Sequence, residues 1–318
     1  MRRICVNSRV EKRHKKKRKW PFWVGGIILA IILIVGGSLY YVWDKVGDTI
    51  ATMHDPLARD DDPDRQKELK ALFKNNKSLN ILLLGVDERE GDKGRSDTMI
   101  LMSLNPKTNS MAMLSIPRDT YVNIPGRGMD KINHAYAFGD VALSVQTVEE
   151  AFDLPVHFYA RVNMEGFQQG IDALGGVTIN NNQEFSQGGA SFTKGKIHLN
   201  GEQALKYIRM RKNDPKGDLG RNERQRNVVT AAMDKGASFS SITKIGEILN
   251  ILGGNVKTDL DMNKMQTLFT DYRGARKNMK TLEISGTGQK INGVWYYAVP
   301  DAEFNRITTE IKDHMEAK

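Results

Sequence analysis

The chain has 318 residues, 40% of them hydrophobic, and a net charge of +9, enough apolar material for a sizeable core. Ten Lys and Arg fall within residues 1–19 against Glu11 alone, so the remaining sequence is close to neutral. The single cysteine, Cys5, lies in that basic tail, which excludes a disulfide, a cysteine nucleophile and a Cys-ligated metal from the rest of the chain.

Trp20 to Trp43 carries no charged side chain and is rich in Ile, Leu, Val and Gly, about the length of an apolar helix that crosses a bilayer. Trp20, Trp23, Tyr40, Tyr41 and Trp43 sit at its two ends, where amphipathic rings prefer the headgroup boundary. The stretch is long for a signal peptide and lacks a small-residue cleavage pattern. It reads as an uncleaved, single-pass type II anchor in the cell membrane. Basic residues on the amino-terminal flank put 1–19 in the cytoplasm as a topogenic signal and 44–318 outside. Nucleic-acid binding by the tail is disfavoured, since it abuts the membrane and has neither aromatic interleaving nor a following helix-turn-helix pattern.

Residues 44–78 read as an extracellular stalk, with Asp60-Asp61-Asp62-Pro63-Asp64 an acidic, Pro-broken run and Gln66 to Lys77 a short polar helix or linker. A folded domain is expected over 79–318. Buried strands are expected at 79–86, 99–104 and 111–116, then a helix over 131–152. Further strands follow at 158–162 and 176–179, with a helix over 164–174 between them. Helices are expected near 200–207, 221–236, 240–252 and 261–273, strands near 280–286 and 294–299, and a final helix. This interleaving argues for one α/β domain with its sheet covered on both faces.

Strand 79–86 runs into Asp87, at the strand edge where α/β proteins usually build sites. Gly94-Arg95-Ser96-Asp97-Thr98 offers a second carboxylate beside a cation before the next strand. Asp87 and Asp97 could converge on one hard cation, since Mg²⁺ takes one or two carboxylates with waters and phosphate oxygens; from spacing alone, surface turns are the favoured account of both. The third strand leads into Pro117-Arg118-Asp119-Thr120, a third charged strand end. The densest cluster runs from Arg209 to Arg226. Arg209 and Arg211 face one ligand together only where the backbone is extended. Beyond Gly220, Arg221, Gln225 and Val228 share a helix face, and the helix amino terminus adds N–H groups suited to an anion. A solvated basic face is the plain alternative, but so many Arg in a neutral domain mark an anion pocket. His134, His157 and His198 have no metal-ligand spacing and read as structural. Asp172 to Val177 reads as a helix end packed into a strand.

Taken together, Leu84-Gly85-Val86-Asp87, Gly94 to Thr98, Ser115 to Thr120, Lys131-Ile132-Asn133-His134-Ala135-Tyr136, Asp172 to Val177, and Arg209-Met210-Arg211 through Gln225 resemble the LytR-CpsA-Psr family, in particular its wall teichoic acid ligases. The resemblance implies a three-layer α/β/α extracellular domain behind one transmembrane helix. It implies an apolar pocket for a polyprenyl chain, Mg²⁺ (or Mn²⁺) on Asp87 and Asp97, and pyrophosphate contacts from Arg95, Arg118, Arg209, Arg211, Arg221 and Gln225, with Lys131 nearby. The implied reaction is Mg-dependent transfer of a teichoic-acid-type glycopolymer, with its phosphate, from polyprenyl pyrophosphate to an N-acetylmuramic acid hydroxyl of peptidoglycan, with Asp87, Asp97 and Arg118 at the reacting centre. Rival readings are a polyprenyl-pyrophosphate hydrolase, a transcriptional attenuator, and a binding module without turnover.

Overall fold

The computed structural model describes residues 51–88, 94–211, 214–236 and 253–318. The basic tail, the apolar span 20–43 and the helix expected over 240–252 lie outside the described residues. No helix among the described residues is long and apolar enough to cross a membrane.

The element order is α1 (Pro63–Lys74), β1 (Leu79–Val86), β2 (Ser96–Asn105), β3 (Ser110–Ser115), β4 (Tyr121–Ile124), β5 (Gly128–Lys131), α2 (His134–Phe152), β6 (Phe158–Asn163), α3 (Met164–Ala173), β7 (Val177–Asn181), β8 (Phe185–Gln187), β9 (Ala190–Phe192), β10 (Gly195–Leu199), α4 (Gly201–Arg209), α5 (Asp218–Gly236), β11 (Val256–Thr258), α6 (Met262–Asp271), β12 (Asn278–Leu282), β13 (Thr287–Ile291), β14 (Val294–Ala298) and α7 (Asp301–Glu316). Six strands form the central sheet in the order β11-β6-β1-β2-β3-β12. β1 is antiparallel to β2 and parallel to β6, so the expected apolar runs are its innermost strands.

Alternation along these strands feeds two cores. Leu82, Leu84, Val86, Leu101 and Leu114 pack on Val141, Val145 and Phe152 of α2 and on Ile307 and Ile311 of α7. Ile81, Ile100, Met102 and Met113 face the opposite layer, where Leu69 and Leu72 of α1, Val229 of α5 and Leu268 of α6 meet them. A third cluster joins β7–β10 to α4 and α5 through Ile179, Phe185, Phe192, Tyr207 and Val228. This is the three-layer α/β/α arrangement.

The expected stalk is different from residue 51 on. Arg59 donates to Glu149 at 3.0 Å and to Val156 O at 2.8 Å, and Arg65 donates to His157 O at 2.9 Å. Asp62 caps α1, accepting from Asp64 N at 2.9 Å, and Pro63 opens the helix. Leu69 and Leu72 are then buried, each contributing roughly 1.5–3 kcal/mol. The acidic, Pro-broken run is a helix start rather than a linker. The expected helix over 131–152 also differs: Lys131 ends β5, paired with Tyr121, and the helix starts at His134 and is interrupted at Gly139 and Asp140.

Candidate active site

β1 and β2 end together. Val86 pairs with Ser96 and Gly85 with Thr98, so the pairing skips Asp97, which sits in a β-bulge. Bulges re-aim side chains at strand ends, and Asp97 here lines a cavity of about 960 Å³. Asp87 lies one residue past β1, its N–H donating to Arg95 O at 3.2 Å. Both carboxylates therefore stand at the ends of neighbouring strands.

Arg118, at the end of β3, also lines the cavity and donates from Nη1 to Asp97 Oδ1 at 2.6 Å. Burial pulls its guanidinium down, but the Asp97 hydrogen bond and the charges of Asp97, Asp119 and Asp218 outweigh it and hold the pKa above its ordinary value. Lys131 does not reach the cavity. Its Nζ donates to Asp119 Oδ1 at 2.8 Å, and Asp119 lies 3.8 Å from Arg118 Nε, so Lys131 acts on Arg118 through a carboxylate. Arg95 is exposed on the loop before β2, outside the cavity wall, and no pyrophosphate contact follows from its position.

The arginine run is sorted by the helix termini. α4 ends at Arg209, and Met210 is extended (φ −62°, ψ 129°) and buried, so Arg209 and Arg211 both line the cavity from one extended step. Arg209 lies 3.8 Å from Asp87. Arg224 holds this segment from behind, donating to Met210 O at 2.6 Å and pairing with Asp214. It is a structural bracket. On α5, Arg221 and Gln225 line the cavity together as i, i+4 neighbours, whereas Val228 turns into the third core.

Asp218, in the first turn of α5, was not singled out by the sequence. It lies 2.9 Å from Arg221 and 3.5 Å from Arg211, half-buried at the cavity wall. Only tertiary structure separates it from the other acidic residues of that run. Burial, with the charges of Arg118 and Arg211, pulls Arg221 below its ordinary pKa despite Asp218 and Asp97. Arg118 and Arg221 each keep a buried Nε–H with no hydrogen-bond acceptor among the described residues. Buried donors without acceptors are costly, and four arginines on one cavity form a ready site for a multivalent oxyanion.

Next to this collar lies an apolar pocket of about 110 Å³ with Leu83, Leu84, Ile100, Phe167 and Val229 in its wall; Thr98, Met164, Ile208 and Gln225 belong to both spaces. Gly85 makes the junction possible, because a Cβ there would meet Thr98 Cβ at 2.9 Å. No group of three or more His, Cys, Asp or Glu assembles among the described residues. Asp97 lines the cavity and Asp87 stands behind it, tied to the wall by Arg209; Asp97, with Asp87 on the neighbouring strand end, is the donor chemistry a hard cation takes when water and phosphate oxygens complete its shell. The three histidines have structural partners: His157 accepts from Asn80 N at 2.9 Å and is pushed down to about 4 by burial and by Arg65 and Arg59. His134 pairs with Asp130, and His198 with Thr178. Asp172 accepts from Gly201 N at 2.7 Å, capping α4.

Fold and site together define an α/β protein whose cationic cavity opens onto an apolar pocket, the arrangement for a phosphorylated head on an apolar chain. The LytR_cpsA_psr family model matches residues 40–313. The chain belongs to that family. It is 65% identical, over 97% of its length and 99% of the relative's, to the polyisoprenyl-teichoic acid–peptidoglycan teichoic acid transferase TagU of Oceanobacillus iheyensis. The crystal structure of Bacillus subtilis TagU, 45% identical, superposes with a TM-score of 0.62 over 76% of this chain and 98% of that one. A structure of TagT bound to LI-WTA, 33% identical, gives 0.65 over 76% and 92%.

Proposed function

We propose that this chain transfers a teichoic-acid-type glycopolymer, with its phosphate, from a polyprenyl pyrophosphate carrier to a hydroxyl of peptidoglycan N-acetylmuramic acid. The observation that carries the reading is the junction of the two spaces at Thr98, Met164, Ile208 and Gln225: an anion collar and an apolar pocket meet where a lipid pyrophosphate changes from charge to hydrocarbon. The identity to named transferases over nearly the whole chain supports the same reaction.

In the reaction, the acceptor hydroxyl oxygen forms a bond to the sugar-bearing phosphorus and the bridging P–O bond to polyprenyl phosphate breaks. The hydroxyl proton passes to Asp87 or Asp97 at the strand ends. Arg118, Arg209, Arg211 and Arg221 bind the pyrophosphate and offset charge on its non-bridging and leaving oxygens, and Gln225 orients it. Phosphoryl transfer asks mainly for such positioning and electrostatic stabilisation. Lys131, through Asp119, keeps Arg118 in place. Asp87 and Asp97 would hold Mg²⁺ (or Mn²⁺), which supplies further charge neutralisation on the phosphate oxygens. The apolar run 20–43 is assigned as a type II anchor in the cytoplasmic membrane, with the domain outside, where carrier and acceptor meet.

Product analysis with and without acceptor tests this reading. Polymer covalently attached to peptidoglycan is expected when acceptor is present; release of free glycopolymer phosphate at the same rate in both reactions makes the protein a hydrolase.

A further inference from the structure

The β13–β14 hairpin contributes no cation to the collar, yet it brings Trp295 into the cavity wall. Its chain reverses at Asn292-Gly293, both left-handed (φ 50° and 81°), the two-residue turn whose twist matches paired strands. The hairpin is fastened beside the anion site. Tyr297 N–H donates to Asp119 O at 2.8 Å, one residue beyond Arg118, and Tyr297 OH donates to Ile284 O at 3.1 Å. Tyr296 packs on Tyr121 with ring centroids 4.7 Å apart, while Lys131 lies over its ring. Tyr297 is buried, but Trp295 keeps 37% of its surface exposed.

A Cβ at Gly288 would meet Trp295 Cζ2 at 2.8 Å and Nε1 at 2.9 Å. The indole therefore rests against bare backbone on the neighbouring strand, and any side chain at 288 would push it away. A large aromatic held in this way, yet still exposed at a cavity that also carries Arg118, Arg221 and the amide of Gln187, is placed to meet a ligand rather than to fill a core.

We infer that Trp295 is a stacking platform for a pyranose ring at the sugar side of the reacting phosphate. This rests on the transferase reading and assigns a sugar subsite within it. The axial C–H groups of a pyranose are apolar and match an indole face, while the ring hydroxyls remain for polar partners such as Gln187. Because Trp295 and Arg118 share one cavity, a sugar ester-linked to phosphate in the collar lies within reach of the ring. The ring belongs either to the first sugar of the donor or to the acceptor sugar that approaches it, and kinetics separates the two.

The test uses the full chain in detergent, with a polyprenyl-pyrophosphate-linked disaccharide as donor, peptidoglycan oligomers as acceptor, and inorganic pyrophosphate as a sugar-free probe. Trp295→Ala is expected to raise one KM roughly tenfold, with kcat within about twofold and pyrophosphate affinity unchanged. Trp295→Phe should recover most of the loss, and Gly288→Val should reproduce it with the indole still present. A rise in donor KM identifies the donor sugar; a rise in acceptor KM identifies the acceptor sugar. If both KM values stay at wild-type levels while turnover and pyrophosphate binding persist, the platform is wrong and the transferase reading stands. A wild-type chain that neither binds pyrophosphate nor turns over defeats the transferase reading, and the sugar subsite with it.

Discussion

Replacing Asp218 by Asn keeps the shape of the collar and removes one negative charge from its wall. Asp218 is 2.9 Å from Arg221 and 3.5 Å from Arg211, with side-chain exposures of 12% for Asp218 and 8% for Arg221. Removing one partner of a fully buried pair costs about 3–5 kcal/mol; Asp218 is only half-buried on a cavity that admits water, so at most the lower end of that range applies. For a domain of this size, about 3 kcal/mol lowers Tm by roughly 6–12 °C. The same substitution removes a competitor for any incoming anion, so pyrophosphate is expected to bind about tenfold tighter, from the loss of a like charge a few ångströms away. Thermal unfolding of the full chain in detergent, with and without inorganic pyrophosphate, reads both effects. The variant should melt lower alone and gain more from pyrophosphate than wild type does. An unchanged Tm, or weaker pyrophosphate binding, would refute the assignment of Asp218 as the internal counter-ion of an anion site.

Other substitutions probe separate parts of the site. Arg118→Ala is expected to lower transfer roughly 10³- to 10⁵-fold with the fold retained, as checked by initial rates and circular dichroism; wild-type-like turnover counts against it. Val229→Trp fills the apolar pocket and should raise the KM of a long-chain donor more than that of a donor with a short prenyl chain, whereas equal effects point to a lipid path elsewhere. Burial lifts the Asp259 carboxyl to about 7, against the Tyr159 N–H that donates to it at 2.9 Å. The native protein thus holds a proton there that the unfolded chain releases near 3.8, so this contribution to stability is complete below that pH and is lost as pH rises through about 7. Asp259→Asn should therefore narrow the difference in Tm between about pH 5 and pH 8, and an undiminished difference would exclude Asp259 as its source.

The sheet was legible because β1, β2 and β3 are buried on both faces and read as continuous apolar runs, with Asp87, Asp97 and Arg118 at their ends. The bulge at Asp97 left no mark in the sequence, since it is a property of pairing between strands. The short helix within 66–77 is present as part of α1, but its packing on the domain was not legible, because an acidic, Pro-broken run looks the same whether it is solvated or capping a helix; Leu69 and Leu72, three apart, carried the weak signal that α1 packs. Arginines of one cluster separated only in three dimensions, Arg221 into the cavity and Arg224 behind it. Lys131 showed a charge near the site but not that Asp119 intervenes. The hairpin that holds Trp295 had a readable turn in Asn292-Gly293, which joins β14 to the missed strand β13.

The most direct measurement is covalent attachment of glycopolymer to peptidoglycan by the full chain, given a polyprenyl-pyrophosphate-linked donor and Mg²⁺, comparing wild type with Asp97→Ala. Attachment by wild type that disappears in the variant is the expected result. Equal attachment by both would contradict the role given to the strand-end carboxylates, and attachment by neither, with the donor bound tightly, would contradict the transferase itself.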